Sequence, residues 1–146
     1  MKLKPQLFWH NCGRNYLRSI LTNSKAYLSS LSSWQYRGAV FLLARIAERA
    51  VGCGAFRPLW AGEAEVKRMF VLPEARGLGV GREILQQLES AAGEMGYTSL
   101  RLETGLRQPE AIGLYESAGY RRVPCYGPYA DNPMSVCFEK LLAEKK

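Results

Sequence analysis

A glycine-rich turn is the part of this sequence whose residue types most directly indicate chemistry. An apolar run is broken at Pro73, and the segment 76–82 then reads Arg-Gly-Leu-Gly-Val-Gly-Arg. Glycine lets the chain turn tightly and lets a ligand approach the main chain. The first turn of a helix offers unpaired N–H groups and the positive end of the helix dipole. If a helix begins here, the turn is predicted to bind an anionic group such as a phosphate.

Two familiar phosphate-binding patterns do not fit this turn. The dinucleotide pattern G-x-G-x-x-G needs its third glycine one residue later than Gly81. The P-loop needs Lys-Ser or Lys-Thr where Arg82 and Glu83 stand. A strand-to-helix turn without any ligand is the structural alternative, and the flanking arginines argue against it.

Hydrophobic periodicity predicts the elements that position the turn. Apolar runs indicate strands before it and an amphipathic helix after it. Glycines inside the second strand indicate a bulge or a close neighbour there. The predicted strands are 40–44, 50–56, 64–71, 98–104 and one within 134–142, and the predicted helices are 79–95 and 109–118. This order predicts a mixed α/β domain on one central sheet.

Other segments are less regular in pattern. Residues 1–38 carry leucines near helical spacing, which predicts one or two short helices. The serines of 29–33 are typical of a helix end or a loop. Residues 121–133, rich in proline and glycine, are predicted to form a loop. In the third strand, Ala64, Val66 and Arg68 are expected on one face.

Composition limits the class of protein. A chain of 146 residues suits one domain, 1–146, and 47% apolar with 23% charged residues is typical of a soluble protein. No membrane span or signal peptide is indicated, so we expect a cytoplasmic protein with no membrane partner. The four cysteines and one histidine lack metal-site spacing, so no metal and reduced cysteines are expected. The net charge of +7 suits a polyanionic cofactor, whereas scattered cations argue against nucleic acid.

A second motif narrows the interpretation. Residues 110–120 read Glu-Ala-Ile-Gly-Leu-Tyr-Glu-Ser-Ala-Gly-Tyr. With the turn, this resembles the GNAT family, the GCN5-related N-acetyltransferases, whose cofactor motif is matched by Arg76, Gly79 and Gly81. The segment 68–73 resembles that family's fourth strand, and the resemblance covers about 39–142. It implies a single GNAT-like acyl-CoA N-acyltransferase fold with a mostly antiparallel central sheet flanked by helices, to which 1–38 is poorly matched.

The resemblance implies acetyl-CoA as co-substrate. In the family, amides of the turn hold the pyrophosphate and the end of the preceding strand pairs with the pantetheine arm. The amide of Val71 is implied as the donor to the developing oxyanion. Gln108 stands where the family often has asparagine. The cofactor-binding residues implied are Met69, Phe70, Val71, Arg76, Gly77, Leu78, Gly79, Val80, Gly81, Arg82 and Gln108.

The catalytic candidates also follow from the resemblance. Acetyl transfer to an amine expels a thiolate, which the phenol of Tyr115 can protonate. A base must accept a proton from the amine, and Glu103 is ranked above Glu65 for that role. The alternatives are a packing tyrosine and carboxylates that are solvated or salt-bridged. Cys53, Cys125 and Cys137 have no nearby histidine in sequence, so direct attack without an acyl-enzyme is expected.

The acceptor is the open part of the prediction. A primary amine of a small molecule is favoured, and a protein N-terminus or lysine is the next alternative. The segment 124–133, with Tyr126, Tyr129 and Asp131, either lines the acceptor site or is an ordinary surface loop. A catalytically silent CoA-binding sensor or partner module is the rival from another class. Homodimers are common in the family and remain open as a further partner.

Overall fold

In the computed structural model, residues 30–143 are described, and within them seven strands form one sheet. The strands are β1 (Ser30–Tyr36), β2 (Ala39–Ile46), β3 (Arg49–Trp60), β4 (Glu63–Val71), β5 (Ser99–Gly105), β6 (Arg121–Val123) and β7 (Ser135–Leu141). The helices are α1 (Val80–Glu94) and α2 (Pro109–Ser117), with short 3-10 turns at Pro73–Ala75 and Gly127–Tyr129. The strand order is β1-β2-β3-β4-β5-β7-β6, antiparallel except for the parallel pair β4 and β5. The mixed, mostly antiparallel sheet predicted from sequence is confirmed.

Alternation along the strands divides the sheet into two faces. The helix face carries the core, including Leu42, Val66 and Phe138, all of them buried. Helix α1 covers it with the predicted apolar stripe, in which Ile84 and Leu88 are fully buried. The opposite face carries polar side chains of β4 and β5. Both helices of residues 30–143 pack on the helix face, so the partners that these residues offer to the polar side chains lie in the sheet itself or in the loops.

The glycines of β3 show why α1 can lie so close to the sheet. A Cβ added to Gly54 would lie 2.5 Å from the Met69 sulfur and 2.7 Å from Cγ2 of Ile84. A Cβ added to Gly52 would lie 3.0 Å from Cδ1 of Ile84. The close neighbour predicted for these positions is confirmed. Glycine is needed here because the helix side chains occupy the space that a Cβ would fill.

We therefore expect Gly54→Ala to destabilise the fold by about 1–3 kcal/mol, because the added methyl overpacks a filled core. Urea denaturation monitored by circular dichroism would measure it. Gly93→Ala is the matched control, since that glycine lies in α1 and its added Cβ would meet nothing within 4 Å. The control should be neutral or slightly stabilising, as alanine favours helix. Equal stabilities of the two variants would contradict this packing argument.

Strand β4 contains a bulge that the sequence pattern does not reveal. Cys53 pairs with Phe70 but Ala55 pairs with Lys67, so β4 has one residue more than β3 between these pairs. Arg68 adopts a left-handed conformation with φ of 60°. Ala64 and Val66 are buried, whereas Arg68 is exposed at the bulge, so Arg68 does not join them in the core. The bulge is held in part by the Cys53 thiol, which donates to the Arg68 carbonyl at 3.4 Å.

Strands β4 and β5 pair only at their beginnings. The described register contains Glu63 with Ser99, Ala64 with Leu100, and Glu65 with Arg101, and no later pair. Beyond this point β5 continues to pair with β7 along its whole length. The bulge bends β4 locally, and the two strands part. A cleft therefore opens in the middle of the sheet, between the second half of β4 and that of β5.

Several other predictions need correction. From Ser30 onwards, the serine-rich segment expected to be a helix end or loop is β1, because its backbone pairs with β2. Strand β3 continues through Pro58 to Trp60, and the predicted loop after Tyr120 contains β6 and a 3-10 turn. Cys125 and Cys137 form a disulfide with Cα atoms 5.1 Å apart, so the expectation of reduced cysteines is wrong for this pair. The helices predicted before residue 30 lie outside the described residues.

Candidate active site

The glycine-rich turn follows β4 and leads directly into α1. The Leu72 amide donates to the Val51 carbonyl at 2.8 Å, which anchors the end of β4 against β3. Gly77 and Gly79 then adopt φ of 79° and 82°, which glycine favours, and Gly79 is the N-cap of α1. The Glu83 amide donates back to the Gly79 carbonyl at 3.0 Å. The amides of 80–82 precede that hydrogen bond, so they form the unpaired start of the helix.

The space in front of this turn suits a phosphorylated ligand. A Cβ added to Gly77 or Gly79 would meet nothing within 4 Å, and both glycines are exposed. The residue between them, Leu78, is 46% exposed. A bare backbone with free amides and an open approach can donate several hydrogen bonds to a diphosphate. The turn therefore fits the pyrophosphate of coenzyme A.

The two arginines that flank the turn have protein partners. Arg76 Nε donates to the Val71 carbonyl at 3.1 Å, and Arg82 Nη2 donates to the Ser117 hydroxyl at 2.6 Å. A distant ion pair of 3.9 Å also joins Arg76 to Glu110. Arg76 thus ties the turn to the end of β4, and Arg82 ties α1 to the end of α2. Both arginines therefore stabilise the turn, and both place a positive charge beside its free amides.

The end of β4, the start of α1 and the helix α2 meet at one point. A Cβ added to Gly81 would lie 3.2 Å from Cδ2 of Leu114 and 3.6 Å from Cγ2 of Val71. Met69 and Val71 are partly buried on this side, whereas Phe70 is 43% exposed. The predicted pantetheine segment of β4 therefore lies at the cleft and next to the turn.

Tyr115 follows Leu114 on α2 and is buried. Its ring packs against Tyr120 and Phe138, each with centroids 5.9 Å apart, and only 6% of the residue is exposed. Burial raises the pKa of Tyr115 to about 12. The phenol therefore remains protonated throughout the neutral range, which is the state that a proton donor needs.

Glu65 lies on the opposite face of β4 and is 1% exposed. Its Oε1 accepts from Arg57 at 3.1 Å and lies 3.0 Å from Lys67 Nζ, and its Oε2 accepts from the Tyr126 hydroxyl at 2.7 Å. Burial acts to raise the pKa of Glu65, but these hydrogen bonds outweigh it and the net pKa is lowered. Both carboxylate oxygens are thus engaged, and the group is held as an ion.

Glu103 lies across the cleft, on β5. Its Oε1 accepts from the Ser135 hydroxyl at 2.7 Å, and its Oε2 has no partner within residues 30–143. Continuing the register of the parallel pair, Glu103 would stand opposite Lys67 at the place where the strands have parted. The structure therefore leaves Glu103 one available carboxylate oxygen beside the cleft, unlike Glu65.

Two further polar residues, Gln108 and Lys67, lie on or just after the strands that border the cleft. Gln108 is the exposed N-cap of α2 and makes no side-chain capping bond, so its amide side chain is not used by the helix. Lys67, which sequence reasoning missed, lies between Glu65 and Tyr129. The strict alternation of 63, 65 and 67 before the bulge was the available signal, since it places Lys67 on the face of Glu65.

Comparison with known proteins agrees with this architecture. A family model described as the acetyltransferase (GNAT) family matches residues 9–120. The chain is 38% identical over 128 residues to the IAA acetyltransferase of Azospirillum brasilense, covering 87% of this chain and 84% of that protein. It is 35% identical over 98 residues to an uncharacterized N-acetyltransferase of Schizosaccharomyces pombe, covering 66% of this chain but 58% of that protein.

Among solved structures, a Klebsiella pneumoniae protein described as an acyl-CoA N-acyltransferase superposes with a TM-score of 0.70. Its sequence identity is 38%, and the match covers 73% of this chain and 74% of that one. The chain therefore belongs to the GNAT family and is an acetyl-CoA-dependent N-acetyltransferase. Within residues 30–143, neither helix is long and apolar enough to cross a membrane.

Proposed function

We propose that this enzyme transfers the acetyl group of acetyl-CoA to the primary amine of a small molecule, by direct attack. The observation that carries the proposal is the cleft between β4 and β5. The open glycine turn lies at one end of it, and Glu103 lies on the strand across from it. The similarity to a protein named IAA acetyltransferase supports a small-molecule acceptor.

Different segments of the chain are proposed to bind different parts of acetyl-CoA. Amides of 77–82 would hold the pyrophosphate, and Met69 to Val71 would pair with the pantetheine arm. Bound acetyl-CoA supplies a thioester, whose carbonyl carbon is open to attack by an amine. The Val71 amide is the proposed donor to the oxygen of that carbonyl. Tyr115, protonated and on the helix adjoining the turn, is the proposed acid for the leaving sulfur.

The geometry favours Glu103 over Glu65 as the group that accepts the amine proton. A base needs a lone pair within reach of the proton. Glu65 shares its oxygens among Tyr126, Lys67 and Arg57, whereas the one partner of Glu103 among the described residues is Ser135. The assignment made from sequence stays a prediction, and this difference in available oxygens supports it.

We expect Glu103→Gln to lower kcat by about 100-fold, the lower end of the range for general-base removal. Gln keeps an acceptor for Ser135 but cannot take the proton. Steady-state kinetics with saturating acetyl-CoA would measure it, and the KM for acetyl-CoA should be unchanged. Glu48→Gln, in the exposed turn between β2 and β3, is the control. A kcat for Glu103→Gln equal to that of the control would exclude this base.

A CoA-release screen tests the function as a whole. Amino acids, polyamines, aminoglycosides and short peptides would each be offered with acetyl-CoA, and free thiol would be followed. Turnover of one or more small amines is the expected result. Turnover of peptides alone would favour a protein acetyltransferase. Binding of acetyl-CoA by calorimetry, with no turnover of any amine, would favour the silent CoA-binding module.

A further inference from the structure

The disulfide between Cys125 and Cys137 closes a loop that reaches back to the cleft. Cys125 follows β6 and Cys137 lies within β7, where it pairs with Glu103 of β5. The loop between them carries Tyr126 and Tyr129. Both of these side chains contact the polar residues on β4.

Tyr126 is the deepest contact of this loop. It is 7% exposed, and its hydroxyl donates to Glu65 Oε2 at 2.7 Å. Its ring packs edge-on against Trp60 and Tyr129, with centroids 5.6 and 5.7 Å apart. A phenol that donates to a buried carboxylate is held in one position, because both partners lose water on burial.

Tyr129 makes the second contact, on Lys67. The Lys67 ammonium donates to the Tyr129 hydroxyl and lies 5.1 Å from the centre of its ring. The same ammonium lies 3.0 Å from Glu65 Oε1. The two tyrosines therefore fix a carboxylate and an ammonium on β4, just before the bulge, where β4 and β5 part. An ammonium has three donors, and the Lys67 side chain is 32% exposed.

Within the described part of the chain, the backbone of this loop has few other anchors. The hydrogen bonds from the amides of Tyr129, Ala130, Asn132 and Ser135 all end within the loop. One backbone hydrogen bond does reach the loop from outside: the Leu106 amide, just after β5, donates to the Met134 carbonyl at 2.7 Å. At the end next to β6, the loop is therefore held by the disulfide and by the side chains of its tyrosines. A disulfide restrains the segment between its two cysteines. Reducing the Cys125–Cys137 bond should therefore release the end of the loop next to β6.

We propose that Tyr126 is a positioning residue for the acceptor, acting through Glu65 and Lys67, and that the Cys125–Cys137 disulfide keeps it in place. The proposal rests on the proposed function and adds to it that the acceptor enters the cleft from the face opposite α1, where Glu65 and Lys67 lie. Lys67, whose side chain is 32% exposed, then lines the entrance, and the buried carboxylate of Glu65 holds its ammonium in place. Reducing the disulfide would loosen this arrangement and weaken acceptor binding without altering the glycine turn.

The redox step is ordinary thiol–disulfide exchange. A thiolate of an external dithiol attacks the Cys125 sulfur, which is on the more exposed cysteine, since Cys137 is 1% exposed. The S–S bond breaks, a mixed disulfide forms on Cys125, and the Cys137 sulfur leaves as a thiolate and takes a proton. The second thiol of the reductant displaces Cys125. The products are two protein thiols and one oxidised dithiol.

Kinetics of two single variants test the positioning role. Tyr126→Phe removes the hydroxyl and keeps the ring, and it should raise the acceptor KM about tenfold, as expected for losing a hydrogen bond to a charged group. The KM for acetyl-CoA and the kcat should change less than about twofold. Tyr36→Phe is the control, because Tyr36 is 70% exposed on β1, at the far edge of the sheet. An unchanged acceptor KM in Tyr126→Phe would overturn the role.

Reduction tests the disulfide. Wild-type enzyme treated with dithiothreitol should show the same rise in acceptor KM, reversed on reoxidation, whereas Cys125→Ser should start at the raised KM and ignore the reductant. A parallel rise in the KM for acetyl-CoA would mean general loosening and would overturn the proposal.

A second readout does not depend on acetyl transfer, so it separates failure of this proposal from failure of the proposed function. Chymotrypsin cleavage within 124–134, mapped by mass spectrometry, should be at least tenfold faster in reduced than in oxidised wild type. Unchanged cleavage would overturn the inference even if no acceptor had been found.

Discussion

Replacing Tyr115 with phenylalanine should lower kcat by at least about 100-fold, with no change in the KM for acetyl-CoA. The ring packs against Tyr120 and Phe138, and phenylalanine would keep those contacts. Only the proton donor would be lost. Saturation kinetics on the purified enzyme, with CoA release as the readout, would measure the change.

The pH dependence adds an independent test of Tyr115. Burial raises its pKa to about 12, so the neutral phenol is favoured in the folded state over the unfolded one. Its contribution to stability is therefore complete below the ordinary pKa of about 10 and is lost as the pH rises through about 12. The donor should stay protonated up to that pH, so wild-type kcat should not fall near pH 10 through ionisation of Tyr115. A tyrosinate absorbance titration, compared between wild type and Tyr115→Phe, would locate the transition.

Tyr120→Phe is the matched control for this variant. Tyr120 is also buried, and its ring lies next to that of Tyr115. It follows α2 rather than lying on the helix turn beside Leu114, and no role in transfer is assigned to it. Its replacement should leave kcat within about twofold of wild type. Acetyl transfer by Tyr115→Phe at the wild-type rate across the pH range would show that another group protonates the thiolate.

The second large effect is expected for Gly79→Ala, which should raise the KM for acetyl-CoA more than tenfold. A methyl group there would project into the open space before the turn, where the pyrophosphate is proposed to lie. Alanine also resists the φ of 82°, at a cost of about 1–2 kcal/mol. Calorimetric titration with CoA, alongside kinetics, would separate binding from turnover.

The Gly79→Ala variant strains the backbone and also places a methyl group in the proposed pyrophosphate site. Gly96→Ala separates the two effects, because it introduces the strain alone. Gly96 has φ of 89° and an equally open environment, but it ends α1 at the far side of the helix. Both variants should lose similar thermal stability. Only Gly79→Ala should lose affinity for CoA. If Gly96→Ala weakened CoA binding as much, the glycine turn would not be the pyrophosphate site.

Local patterns predicted much of the fold. The amphipathic helix predicted for 79–95, with the apolar stripe of α1, follows from periodicity. The crowded glycines of β3 were likewise indicated by their unusual placement in a strand. The helix pattern depends on residues close together along the chain, whereas the glycines indicate a close neighbour without identifying it.

Other features could not be predicted in this way. Nothing in the residues near Arg68 identifies a bulge, since it arises from the register between β3 and β4. The serines of β1 favour loops by composition, yet pairing with β2 satisfies their backbone groups and decides the outcome. The partners of Glu65 could not be predicted either, because one of them, Tyr126, lies 61 residues further along the chain.

The glycine turn, its flanking arginines and the motif around Tyr115 were enough, from sequence alone, to predict the GNAT family, and the resemblance places the proposed site of the CoA phosphates at the turn. These residues act through their own backbone conformation and through the start of one helix, which are local properties. Only the tertiary structure decided that β4 and β5 part to form the cleft, that Glu65 is fully engaged while Glu103 is not, and that a disulfide-closed loop reaches Lys67. Those outcomes depend on strand register and on contacts between distant segments, which local residue patterns do not encode.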